Sequence, residues 1–119
     1  MPSTAEADFA SNVLLAWQGN LELGKLIEKA SQLEALQLGA LAAVLYQTWL
    51  KRNRTSHDHF IYFNLGATLF GQNDLAGARE AYERAIALAP DFIQPQFNLG
   101  LVLERLGQPD AAIKAWQGI

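Results

Sequence analysis

Phe63-Asn64-Leu65-Gly66 returns 34 residues later as Phe97-Asn98-Leu99-Gly100, and that echo decides how the chain is read. With His59 set against Ile93, the same register pairs Leu69 with Leu103, Ala78 with Ala112, Ala81 with Ala115 and Tyr82 with Trp116. Seven of 27 aligned positions are identical, four of them consecutive, which marks an internal duplication. A 34-residue period is that of a helix–turn–helix unit stacked on copies of itself. Composition agrees: Leu and Ala, 19 each, outnumber Ile, Val and Thr together at 13, so helix formers outweigh strand formers. No segment alternates with period two between hairpin turns. The expectation is an all-α, right-handed α-solenoid of antiparallel helix pairs, about six to seven helices in all.

The spacing has a packing reason. Two antiparallel helices approach closely where their crossing residues are small, hence Gly66 with Ala78 and Gly100 with Ala112. Leu65, Leu69, Tyr82 and Ala85 then fill the groove. Pro90 cannot continue a helix, and Asp91 follows it in the turn. Asn73-Asp74 and Gly107-Gln108-Pro109-Asp110 are the turns within each pair, with Pro and Asp suited to a first helical turn. Glu80 with Arg84 and Asp110 with Lys114 are expected as exposed i,i+4 pairs.

Upstream the signals are local. Ser3-x-x-Glu6 reads as a capping box, and Phe9, Val13 and Trp17 form an apolar stripe that Gly19 stops. Asn20 is expected to cap a second helix through Leu23, Leu26 and Ile27, ending near Ser31. A third helix is expected from Leu33 to Asn53, with a break at Gly39 and Lys51, Arg52 and Arg54 at its negative end. Ala16-Trp17-Gln18-Gly19 recurs as Ala115-Trp116-Gln117-Gly118, and both tryptophans read as groove fillers. The organisation expected is 1–58 as a divergent repeat or cap, 59–92 as one unit, and 93–119 as a second unit cut short in its second helix.

These residues resemble the tetratricopeptide repeat, whose pattern is aromatic-x2-Leu-Gly-x2-Tyr, then Ala-x3-Phe, then Pro. The chain has Tyr62-x2-Leu65-Gly66-x2-Leu69, Ala78-x3-Tyr82, Ala85 and Pro90, then Leu99-Gly100-x2-Leu103 and Ala112-x3-Trp116. It departs at Gln96, where an aromatic is usual, and has Leu in place of Tyr in both units. A wider stretch, from Ala42-Ala43-x-Leu45-Tyr46-x2-Trp49-Leu50 through Ala89-Pro90-Asp91-Phe92 to Leu103-Glu104-x2-Gly107, resembles the N-terminal helical region of bacterial SPINDLY-type proteins. Those are similar to O-linked N-acetylglucosamine transferases, whose catalytic domain has no counterpart in these residues.

The resemblance implies a binding surface on the concave face, lined by the first helix (helix A) of each unit. In the first unit this places Phe60, Phe63, Asn64, Ala67, Phe70 and Gly71 there, and in the second Gln94, Phe97, Asn98, Leu101, Glu104 and Arg105. The surface is aromatic and aliphatic with one Asn per repeat, and an Asn amide both donates and accepts, which suits an extended peptide backbone. The transferase resemblance implies the same, with Asn64 and Asn98 as two rungs of an Asn ladder and Ala30 at the preceding position. No cation is placed to grip a C-terminal carboxylate; Arg105, beside Glu104, is the concave cation.

The remaining expectations are exclusions. The net charge of −3 and 18% charged residues carry no basic stripe, so nucleic acid is not the expected partner. Without cysteine there is no thiol nucleophile, thiolate site or disulfide frame, and the expected compartment is the cytoplasm. Met1-Pro2-Ser3-Thr4-Ala5-Glu6 lacks the features of a secretory signal, and Leu38–Tyr46 is too short an apolar run to span a membrane. His57-Asp58-His59 is the one metal-like cluster, but imidazoles at i,i+2 share no helix face, and Asp58 or Ser56 reads as a helix cap. No catalytic residue, cofactor or metal is expected, and the partner is a protein or peptide. The chain stops at Ile119 inside a second helix. That motivates two alternatives: a fragment of a SPINDLY-type transferase that recognises its substrate, or a self-associating module whose apolar edge is Ala112, Trp116 and Ile119.

Overall fold

The computed structural model describes residues 4–119, and every regular element among them is helical. In order these are α1 (Thr4–Trp17), α2 (Leu23–Ala35), α3 (Gly39–Arg52), α4 (Asp58–Gly71), α5 (Leu75–Leu88), α6 (Ile93–Arg105) and α7 (Pro109–Gln117). None is long and apolar enough to cross a membrane. They form two compact units, Met1–Thr55 and Ser56–Ile119. Ser3 of the expected capping box lies outside the described residues.

Four helices end in one device. After α1 the amide of Asn20 donates to Leu15 O at 2.8 Å and that of Gly19 to Ala16 O at 3.1 Å. Leu38 and Gln37 repeat this on Leu33 and Glu34, Asp74 and Asn73 on Leu69 and Phe70, and Gln108 and Gly107 on Leu103 and Glu104. This is the Schellman ending, which turns the last carbonyls inward and puts one residue in the left-handed region. Those residues are Gly19, Gln37, Asn73 and Gly107, with φ between 61° and 78°.

This corrects three boundaries. Asn20 closes α1, and α2 starts at Leu23 with Glu22 as its N-cap. Next, α2 runs on to Ala35 and takes Leu33 with it, so the third helix begins at Gly39. The stop between them is Gln37 at φ 63°, a residue type that does not advertise a left-handed turn. Lastly, α4 begins at Asp58 with His57 as N-cap, so neither Asp58 nor Ser56 is the cap residue. Gln37→Gly should raise stability by about 0.5–1 kcal/mol in urea unfolding. A left-handed φ costs an L side chain roughly 1–2 kcal/mol, and the added freedom of the unfolded chain offsets part of the relief. An unchanged or lowered midpoint would refute this account of the turn.

In the first unit α3 packs against both α1 and α2. Trp49 lies at its centre, 1% exposed, and its indole N–H donates to Leu21 O at 2.9 Å. The basic end of α3 does more than complement its own dipole. Arg52 Nε donates to Trp17 O at 2.9 Å while its guanidinium stacks 4.4 Å from the Trp17 ring centroid, and Asn53 Nδ2 donates to Ala16 O at 3.3 Å. These two side chains satisfy terminal carbonyls of α1. Trp17 is therefore half-exposed beneath Arg52, where a groove filler was expected.

In the second unit α5 packs on α4 and α6, and α6 on α7. A Cβ on Gly66 would stand 2.6 Å from Cε1 of Tyr82, and one on Gly100 would run into the Trp116 indole. Glycine is what lets each aromatic lie against the facing helix backbone. Trp116 fills its groove as expected, with its indole N–H donating to Phe97 O at 3.0 Å. Asp74 caps α5 by accepting from the Gly77 amide at 2.9 Å, and Pro109 opens α7. The α5 surface pairs Arg79 with Glu83 at 2.9 Å; Arg84 lies over the Tyr62 ring instead of making the expected pair with Glu80.

Helix ends also settle the repeat register upstream. Asn73 follows Gln37 by 36 residues and precedes Gly107 by 34. A shift of 36 puts Ala30 opposite Gly66, Ala42 opposite Ala78 and Tyr46 opposite Tyr82, so α2–α3 carries small and aromatic residues at the same positions. Ala30, Ala42 and Tyr46 are all buried.

Candidate functional site

The residues expected on the helix-A face fall into three groups within the second unit. Phe60 and Phe63 belong to an aromatic cluster built around Phe92, with ring centroids 5.2 and 5.3 Å from it. His59 joins it, 4.1 Å from the Phe60 ring and edge-on to Phe92 at 5.8 Å. His57 also stacks near Phe60, at 6.3 Å, so both imidazoles keep aromatic company. Edge-to-face geometry at these separations is favourable for rings. Phe60 remains 45% exposed, so the cluster presents a ring edge to solvent.

The second group surrounds a pocket of about 160 Å³ between α4 and α6, lined by Ala67, Phe70, Tyr82, Asn98 and Leu101. Four of these were expected on this face: Ala67, Phe70, Asn98 and Leu101. Tyr82 comes from α5 and forms a polar point, its hydroxyl accepting from Asn98 Nδ2 at 3.3 Å. Burial pushes the Tyr82 phenol above its ordinary pKa, and the bond from Asn98 pulls it partly back. At neutral pH it is therefore protonated. Arg105, the cation expected on this face, stacks 4.5 Å from the Phe70 ring centroid.

The third group is separate. Phe97 is 50% exposed, and its ring leans towards Trp116 at 6.5 Å. Gln94 is exposed on the first turn of α6. Asn64 is half-buried on α4, and at the 36-residue shift its upstream counterpart is Glu28. The expected counterpart, Ala30, is the crossing residue instead. Gln96, the departure from the repeat pattern, donates through Nε2 to Ala115 O at 2.8 Å and so ties α6 to α7.

Of the edge expected for self-association, Ala112 is buried, Trp116 is half-buried and Ile119 is exposed. Ala112 is 1% exposed and Trp116 covers Gly100, so of the three residues Ile119 is the one exposed, with Ile113 also exposed on α7. Reading the sequence missed Phe92 and Tyr82 as site residues. Phe92 had a signal, an aromatic just after Pro90-Asp91 and before a helix. Tyr82 read only as a groove filler.

Residues 66–107 match a family model described as TPR repeat, and residues 96–119 match one described as Tetratricopeptide repeat. The fold is similar to that in the crystal structure of MamA, with a TM-score of 0.74 at 20% identity, over 99% of this chain and 73% of that one. At that identity the likeness is one of fold. No curated protein matches the chain.

Proposed function

We propose that the chain, whose residues 66–107 and 96–119 match models of the tetratricopeptide repeat, is a non-catalytic scaffold that binds a partner protein, taking an extended segment of it along the helix-A faces of α4 and α6. The observation that carries this reading is the run of exposed apolar side chains there. Phe60, Phe97 and Leu101 all retain a third or more of their surface in water. Exposed apolar side chains on α4 and α6, with Asn64 and Asn98 on the same two helices, are what a binding face requires.

Labelled protein on an array of random extended peptides tests it. Phe97→Glu and Leu101→Glu should each weaken capture by about ten-fold or more, since each places a charge where apolar contact is needed. Glu80→Lys, on the exposed surface of α5, should leave it unchanged. Equal loss from all three, or no loss from the first two, would sink the reading.

Two narrower readings have less support. Recognition of substrate for a SPINDLY-type transferase rests on Asn64 and Asn98 alone. Self-association through α7 keeps Ile113 and Ile119 as its exposed apolar residues.

A further inference from the structure

We propose that the pocket between α4 and α6 is the anchor point of this face. It takes one uncharged aliphatic residue of an extended peptide, with the side chain in the slot and a backbone peptide group against Tyr82 and Asn98. The proposal rests on the helix-A reading above and narrows it to a site for a single residue.

Size sets the first constraint. A volume of about 160 Å³ matches cavities that hold a benzene-sized group. A Leu, Ile or Met side chain fills such a space, whereas Gly leaves it empty and an indole overfills it. Ala67, Phe70 and Leu101 supply apolar walls, and none of the five lining residues carries a charge. The nearby guanidinium of Arg105 is stacked on Phe70. A charged side chain entering the slot would lose hydration with nothing to replace it.

Polarity sets the second. Tyr82 is 2% exposed, and its hydroxyl exchanges one hydrogen bond with the Asn98 amide. A phenol hydroxyl both donates and accepts, and an Asn amide offers donors and an acceptor. In this arrangement the Tyr82 proton and Asn98 Oδ1 have no hydrogen-bond partner among the described residues. With the amide turned over, the Tyr82 oxygen and the Asn98 NH2 group have none. Either way the pair keeps a donor and an acceptor side by side at the slot. A peptide group presents the complement, one carbonyl and one N–H. Its bonds there would form in a setting where a half-satisfied buried polar group gains most from completion.

The test is an NMR titration of the ¹⁵N-labelled full chain with acetyl-Ala-Leu-Ala-amide, with acetyl-Ala-Gly-Ala-amide as control. The Leu peptide should shift the Asn98 side-chain NH2 and the Leu101 amide and bind about ten-fold more tightly than the Gly peptide. Ala67→Leu, which fills the slot from an exposed position, should abolish these shifts. Tyr82→Phe should weaken binding by roughly 3–10-fold, the worth of one net hydrogen bond, with the thermal midpoint measured alongside to show the fold intact. Equal binding of the two peptides, or binding unaffected by Ala67→Leu, overturns the proposal. So does the absence of shifts at the slot. Shifts confined to Phe60, Phe63 and Phe97 would also overturn it while leaving the helix-A face in place, and the peptide array decides that face separately.

Discussion

Trp49→Ala is expected to lower the free energy of unfolding by about 3–5 kcal/mol, the range for deleting a large buried aromatic. Three features of α3 set the size. The side chain is almost wholly buried, so nearly all its apolar surface returns to water on unfolding. Leu21, Leu45, Leu50 and other residues of the first unit are buried with it, and a packed core closes only part of such a cavity. The Trp49 N–H also satisfies the Leu21 carbonyl at 2.9 Å, and truncation leaves that acceptor without its partner. Domains are stable by about 5–15 kcal/mol in total, so the loss takes a large share of that margin. Urea unfolding followed by circular dichroism measures it. Trp49→Phe, which refills most of the volume and drops the hydrogen bond, should cost clearly less. Equal costs would mean that the hydrogen bond, and not the packing, governs this position.

The sign of a Gly→Ala change should differ along the chain. At Gly66 a Cβ would sit 2.6 and 2.7 Å from two atoms of the Tyr82 ring. That ring cannot withdraw easily, being buried and held through its hydroxyl by Asn98. Overpacking of this kind costs about 1–3 kcal/mol. Relief of glycine's backbone entropy within a helix returns only roughly 0.5–1 kcal/mol. Gly66→Ala should therefore destabilise. At Gly71 and Gly24 nothing lies within 4 Å of the added atom, so the entropy effect stands alone and each Ala should stabilise by about 0.5 kcal/mol. Thermal melts of the three variants side by side decide the matter. Stabilisation at all three would show that α4 and α5 do not cross at Gly66.

The all-α fold and its pairing were legible from two short motifs, because small residues at a helix crossing are hard to replace. Gly66 and Gly100 were expected to cross Ala78 and Ala112, whereas the atoms that face them are the rings of Tyr82 and Trp116. The first unit was less legible. Its turn uses Gln37, and a left-handed Gln has no sequence signature, so α2 and α3 blurred into one another and the counterpart of Asn64 was misplaced at Ala30. Arg52 looked like a cation on its own helix, since no local pattern shows that the end of α1 arrives beside it. The site divided in the same way. Ala67, Phe70, Asn98 and Leu101 follow from the repeat resemblance, but Tyr82, which joins them, reads from the sequence as packing alone.

By itself the sequence determined the class of fold, the antiparallel pairing of helices and the absence of a thiol, because those follow from periodicity and composition within one or two turns of chain. The tertiary structure decided the rest. It set which carbonyls Arg52 and Asn53 cap, how the exposed aromatics divide between Phe92 and Trp116, and that Tyr82 and Asn98 meet at the edge of a slot. Each of these depends on side chains 16 or more residues apart reaching one another. Such meetings are fixed by the angle and depth at which helices pack, which local propensity does not encode.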